Sequence, residues 1–195
     1  MSVNTRTLTL ATAALSLAGS LQAGAQATQA ADQRLRISFY GLFGYTRPDF
    51  LGSPNGAGFA LGANIDGFRV LPYTEVGLDM RGATSHSDVL NESSLAGGPR
   101  ISYSRYRFQP YAEYLFGLGR GSFNHNSDPD YQRDYTAIRS YGGGFDYRIS
   151  RDFGLRADIQ RQRWRFTYTA PYFHPVQASI GISYHLHLHS RTGPQ

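Results

Sequence analysis

From Gln33 onward, apolar and polar residues alternate with a period of two, the pattern of strands with two unlike faces. In Leu35 to Thr46, Leu35, Ile37, Phe39, Phe43 and Tyr45 share one face. Arg36, Ser38, Tyr40, Gly44 and Thr46 share the other, and Leu42 breaks the series. Gly58 to Gly67 and Tyr73 to Arg81 repeat the alternation, with Phe59, Leu61, Ala63 and Ile65, then Thr74, Val76, Leu78 and Met80, on the apolar side. Leu95 to Tyr103 is a fourth strand, in which Pro99 predicts a bulge because it has no N–H to give a ladder. Phe108 to Gly119, Ile138 to Ile149, a segment beginning at Phe153, and Val176 to Leu188 complete eight strands. The last is the most regular, with Val176, Ala178, Ile180, Ile182, Tyr184, Leu186 and Leu188 on one face.

The connections between these strands alternate long and short. Polar stretches at Arg47 to Gly56, Ser85 to Ser94, Ser122 to Thr136 and Ala170 to Pro175 are separated by tight turns near Arg69 to Pro72, Ser104 to Arg107 and Ser150 to Asp152. An up-and-down barrel with short turns at one rim and long loops at the other predicts this rhythm independently of hydropathy. Each strand has roughly the ~9–11 residues that cross a bilayer when tilted. The expected fold is an all-β, eight-stranded antiparallel transmembrane β-barrel.

The N-terminal segment carries a different signal. Arg6 precedes the apolar stretch from Leu8 to Leu21, and Ala25-Gln26-Ala27 is a small-x-small cleavage pattern. This predicts a signal peptide over residues 1–27, with a rival cleavage after Ala25, and a barrel domain over 28–195. Its apolar run is shorter than the ~20 residues of a spanning helix, and no later run is longer. There is no cysteine, so no disulfide holds the fold. All basic residues are Arg and they are scattered, which argues against nucleic-acid binding.

If the apolar face meets lipid, the other face fills the barrel, and eight strands leave room only for side chains. The interior charges are then Glu75, Asp79, Glu113, Asp146 and Asp158 against Arg81, Arg100, Arg148 and Arg156. Near-balance of sign suits a paired, hydrogen-bonded network with a structural role. The mirror-image alternative is a soluble lipocalin-like binding barrel with the apolar face inside. It would put Gly, Ser and paired charges outside and leave the core without polar groups to orient a ligand.

From Ala96 to Leu188 the chain resembles the small outer-membrane barrels grouped around OmpA-like, OmpX-like and Opa-like proteins. The segments LAGGPRISYS, FQPYAEYLFGLG and YGGGFDYRISRDFGLR and the final alternating strand carry the resemblance. The Leu-Ala-Gly-Gly-Pro-Arg segment followed by Pro-Tyr is also similar to acidobacterial porin-like barrel proteins. The resemblance implies export to the bacterial outer membrane and contact with its lipid. It also implies insertion by the assembly machinery, with Gly181, Tyr184 and Leu186 resembling that machinery's recognition signal. Many such proteins end on an aromatic residue, whereas this sequence continues through His187, Leu188 and His189 to Gln195.

Three constellations qualify the functional reading. His125 and Ser127 resemble the His-x-Ser of lipid A deacylases, but the residues that follow offer Asp128, Asp130 and Asp134 where those enzymes have Glu. His185, His187 and His189 share one strand face, a pattern that can bind a transition metal. Successive members would stand ~6.5–7 Å apart, too far to share an ion unaided. Arg161, Arg163 and Arg165 continue the lipid-facing series Leu155, Ala157 and Ile159. The strand rise puts Arg161 roughly 20–25 Å along the membrane normal, at the outer leaflet, where guanidinium groups would meet lipopolysaccharide phosphates or simply extend into solvent. The expected function is a non-enzymatic structural or surface-interaction barrel without a cofactor. A small porin-like channel is the alternative.

Overall fold

The computed structural model describes residues 36–49, 54–87, 90–123, 133–165 and 173–187. The expected signal peptide, residues 1–27, lies outside the described residues. The strands are β1 (Arg36–Arg47), β2 (Gly56–Leu71), β3 (Thr74–His86), β4 (Leu90–Tyr103), β5 (Phe108–Phe123), β6 (Arg133–Arg148), β7 (Phe153–Arg163) and β8 (Val176–His187). They form a closed barrel in sequence order, each antiparallel to its neighbours. The seam is a full ladder from Arg36↔His187 to Arg47↔Val176. Closure leaves no strand edge exposed.

Period two sorts the side chains as expected. Phe43, Leu61, Leu78, Met80, Leu95, Phe116, Leu118, Ile159, Ile180 and Ile182 are all exposed on the outer wall. The residues between them on the same strands, such as Asn64, Asp79, Arg100, Glu113 and Ser179, are buried. An apolar belt outside a polar interior is the inverse of a soluble barrel, so the lipocalin-like alternative is overturned.

Several strands run further than the alternation foretold. The expected loop from Ser85 to Ser94 is largely strand, because β3 continues to His86 and β4 begins at Leu90. Its polar residues alternate too: Ser85 and Glu92 are buried, while Ser93 is exposed. They lie past the belt, where a strand needs no apolar face. Pro99 causes no bulge. The register is the same before it, at Gly97↔Phe116, and after it, at Arg100↔Glu113.

The short turns hold a second surprise. β2 continues through the expected turn to Leu71, with irregularities between Asp66 and Phe68 and between Arg69 and Leu71. The reversal falls on Pro72 and Tyr73, and Tyr73 adopts φ 68°. Proline presets the first turn position, and the strained tyrosine stacks edge-on against Tyr103, with ring centroids 6.1 Å apart. Tyr106, in the turn bridged by Arg105 and Phe108, has φ 57°.

Candidate functional site

The lumen is filled in tiers. Near the short turns, Arg36 is paired with Glu75, and Ser38 Oγ lies 2.8 Å from His185 Nδ1. Next comes a dense ion network. Arg156, fully buried, donates to Tyr111 Oη at 2.7 Å, Asp79 Oδ2 at 3.1 Å, Asn64 Oδ1 at 3.2 Å and Glu113 Oε2 at 3.5 Å. Its guanidinium also lies over the rings of Tyr40 and Tyr111, 3.7 and 4.4 Å from their centroids. Arg100 donates to Asp146 at 2.7 Å and Asp79 at 3.4 Å. Arg81 bridges both oxygens of Asp158, at 2.6 and 3.3 Å. Tyr40 donates to Asp79 at 2.6 Å, Tyr111 to Asp158 at 3.0 Å and Gln160 to Glu113 at 2.6 Å.

Glu75, Asp79, Arg81, Arg100, Glu113, Asp146, Arg156 and Asp158 are thus all interior and buried, and Arg148 is half-buried. The sequence reading missed Asp66, which lies 3.8 Å from Arg100 Nε, and the neutral bridging residues Tyr40, Asn64, Tyr111 and Gln160. Burying several ions together is tolerable only with this degree of hydrogen bonding.

Beyond the network the interior turns apolar. Trp164, Phe173, Ile138, Leu115 and Ala96 form a cluster across the barrel. Trp164 is held by a 2.8 Å hydrogen bond from Nε1 to Gln162 Oε1 and by an edge-on contact with Phe173. Leu42, a pattern-breaker in β1, is buried with Tyr40 and Ala60. The cavity at the short-turn end, lined by Arg36, Ser38, Asp66, Gln109, Arg148 and His185, measures about 20 Å³, room for little more than a water. The lumen is therefore occluded by an ionic tier and an apolar tier in series.

On the outer wall, Arg161, Arg163 and Arg165 are exposed. Arg139 on β6 joins them: it is exposed and pairs in register with Arg163, while Tyr141 pairs with Arg161. Arg47 follows on the far side, paired with Val176, which pairs with Arg161. Arg139 and Arg47 lie on separate strands, so only the register reveals that they belong with the β7 arginines. His125, Ser127 and His189, and the side chain of His187, lie outside the described residues. Among the described residues, no group of three or more His, Cys, Asp or Glu is placed to hold a metal.

No family model and no curated protein matches the sequence. Solved structures do match. Neisserial surface protein A is similar with a TM-score of 0.51 and 11% identity, covering 77% of this chain and 96% of that one. The fold is that of a small bacterial outer-membrane β-barrel. Two other barrels of this kind also align. Ail, the attachment invasion locus protein of Yersinia pestis, has a TM-score of 0.47 and 15% identity, over 78% of this chain and 98% of that one. The N-terminal barrel domain of Pseudomonas aeruginosa OprF has a TM-score of 0.44 and 15% identity, over 76% and 97%.

Proposed function

We propose that this chain is a non-enzymatic outer-membrane barrel with a structural or surface-interaction role, exported by its N-terminal signal. In this reading its wall meets lipid, and its outer arginines bind lipopolysaccharide. The observation that carries the role is the occluded lumen. A barrel closed by buried Arg100, Arg156 and Trp164 offers solutes no path, so its working surfaces are the wall and the outer end. Insertion depends on the assembly machinery, with the stretch around Gly181, Tyr184 and Leu186 as its signal.

The lipid contact rests on charge and height. Arginine on a lipid-facing wall costs ~2–4 kcal/mol at mid-depth and close to nothing at the interface. Arg161 and Arg163 end β7 on the side away from the short turns, Arg165 follows them, and Arg139 pairs with Arg163 from the middle of β6. A guanidinium can grip a phosphate with two parallel hydrogen bonds. The wild-type protein is expected in the outer-membrane fraction, migrating faster unheated than boiled on gels. Unfolding is then measured in bilayers with and without lipopolysaccharide. Lipopolysaccharide should raise the midpoint of wild type and leave a triple Arg161→Gln, Arg163→Gln, Arg165→Gln variant nearly unmoved. Equal stabilisation of the two would remove these residues as its contact, and recovery as a soluble periplasmic protein would end the membrane reading.

A further inference from the structure

One interior carboxylate stands apart from the ion network. Glu92 lies on β4 between the outward-facing Asn91 and Ser93. Its neighbours on the outer wall are also polar: Thr84 and His86 on β3, Arg120 and Ser122 on β5. The apolar belt ends just below, at the paired Leu95 and Leu118. Glu92 is therefore beyond the membrane-spanning part of the wall but still inside the barrel, and it is only 7% exposed.

Glu92 lines a cavity of about 10 Å³ together with Thr46, Ser85, Ser94, Gln162 and Gln177. Two buried oxygens of these residues, Glu92 Oε1 and Thr46 Oγ1, have no hydrogen-bond partner among the described residues. No basic side chain is among those lining the cavity. Arg81 lies deeper on β3 and is engaged by Asp158, while His86 and Arg120 point outward. Among the described residues, the other titratable groups nearest this end are an acid and an acid–histidine pair. Asp134 on β6 follows in register across Gly121, and His174 is 3.6 Å from Asp49.

An ionised carboxylate buried without a counter-charge is costly. Burial pushes the Glu92 carboxyl up to about 7. A proton neutralises it but leaves the void and the Thr46 oxygen unfilled. A water fills the void but leaves the charge. Below pH 7 a proton and a water together satisfy the site; above it, where the carboxyl ionises, a small cation supplies the charge and fills the void. We propose that this cavity is a site for a small, hard monovalent cation of the size and charge of Na⁺, held by the Glu92 carboxylate, the Thr46 hydroxyl oxygen and neighbouring hydroxyl and amide oxygens. Hard cations take oxygen ligands, and one carboxylate balances one positive charge. Calcium or magnesium would bring a second positive charge that no other carboxylate lining the cavity balances.

Trp164 lines the same cavity and is bonded to Gln162 on its wall. It is the only tryptophan of the chain, so its emission reports on this site. The purified protein in micelles at pH 8 is titrated with sodium chloride or choline chloride at constant ionic strength. Sodium should produce a saturable change in emission and choline none. Glu92→Gln, which keeps the shape and removes the charge, should abolish the response while still migrating as a folded barrel. Below pH 7 the proton competes for the carboxylate, so sodium affinity should fall about tenfold per pH unit. Identical sodium and choline titrations of wild type would mean that the cavity holds only water, which overturns the proposal. So does a Glu92→Gln protein that responds as wild type does. The wild-type comparison needs no variant, so it decides even if the variant fails to fold.

Discussion

Arg156 shows how a single side chain can organise a lumen. It reaches Asn64, Asp79, Tyr111 and Glu113 on three other strands and is sandwiched by tyrosine faces. Desolvated cation–π contacts of this kind are worth about 2 kcal/mol. Arg100 plays a similar part toward Asp79 and Asp146. Removing one partner of a buried ionic group leaves the others uncompensated, at a cost of about 3–5 kcal/mol. Arg100→Ala should therefore lower the urea unfolding midpoint in micelles markedly. Arg151→Ala, in the exposed turn after β6, should leave it unchanged. Equal midpoints would show that Arg100 contributes no such network energy. That these charges point inward is readable from alternation alone, because parity is a local property. Their partners are not. Arg81 and Asp158 are 77 positions apart, and Arg100 and Asp146 are 46 apart. Such pairs follow from barrel shear, which no single strand encodes.

At the scale of the strand, the apolar interruptions of the polar face mark where side chains pack together inside the barrel. Leu42, Leu115 and Ile138 look like defects in sequence, yet each is buried at 2% or less. Trp164 packs over Gly119, where an added Cβ would come within 2.4 Å of the indole. Gly119→Val should thus displace the ring, at the ~1–3 kcal/mol typical of overpacking. Trp164 emission should shift to the red and the unfolding midpoint should fall. Unchanged emission would mean that the ring does not depend on that gap. The sequence also understated the strands. Past the apolar belt both faces are polar, so the hydropathy signal fades while the ladder goes on. Thr84, Ser85, Glu92 and Ser93 belong to strands that composition alone reads as loop. Tyr73 is the opposite case: a β-favouring aromatic that sits in a turn at positive φ, with Tyr103 as its compensating contact. The arginine rim was legible only along β7. Arg139 needed the register of β6 against β7 to take its place.

For the whole molecule, the decisive property is that the barrel is sealed. Purified protein inserted into planar bilayers should show no steady conductance, since two tiers of side chains block the axis. Reproducible open levels in every insertion would favour the small-channel reading instead. Eight strands leave an interior that side chains fill, and here they do so with opposed chemistries, ions beside an aromatic cluster.

The seam between β1 and β8 has a consequence in time. Arg36 is paired with His187, so the contact that closes the ring joins the two ends of the barrel's sequence. Each hairpin can zip locally, but this ladder needs the first and last strands to be brought together. Contacts of such wide sequence separation are slow to form. Until they do, β1 and β8 each keep a row of unpaired donors and acceptors, and the half-made sheet can recruit strands from other molecules. A variant that weakens the seam would aggregate during biogenesis even if its finished barrel were almost as stable as wild type.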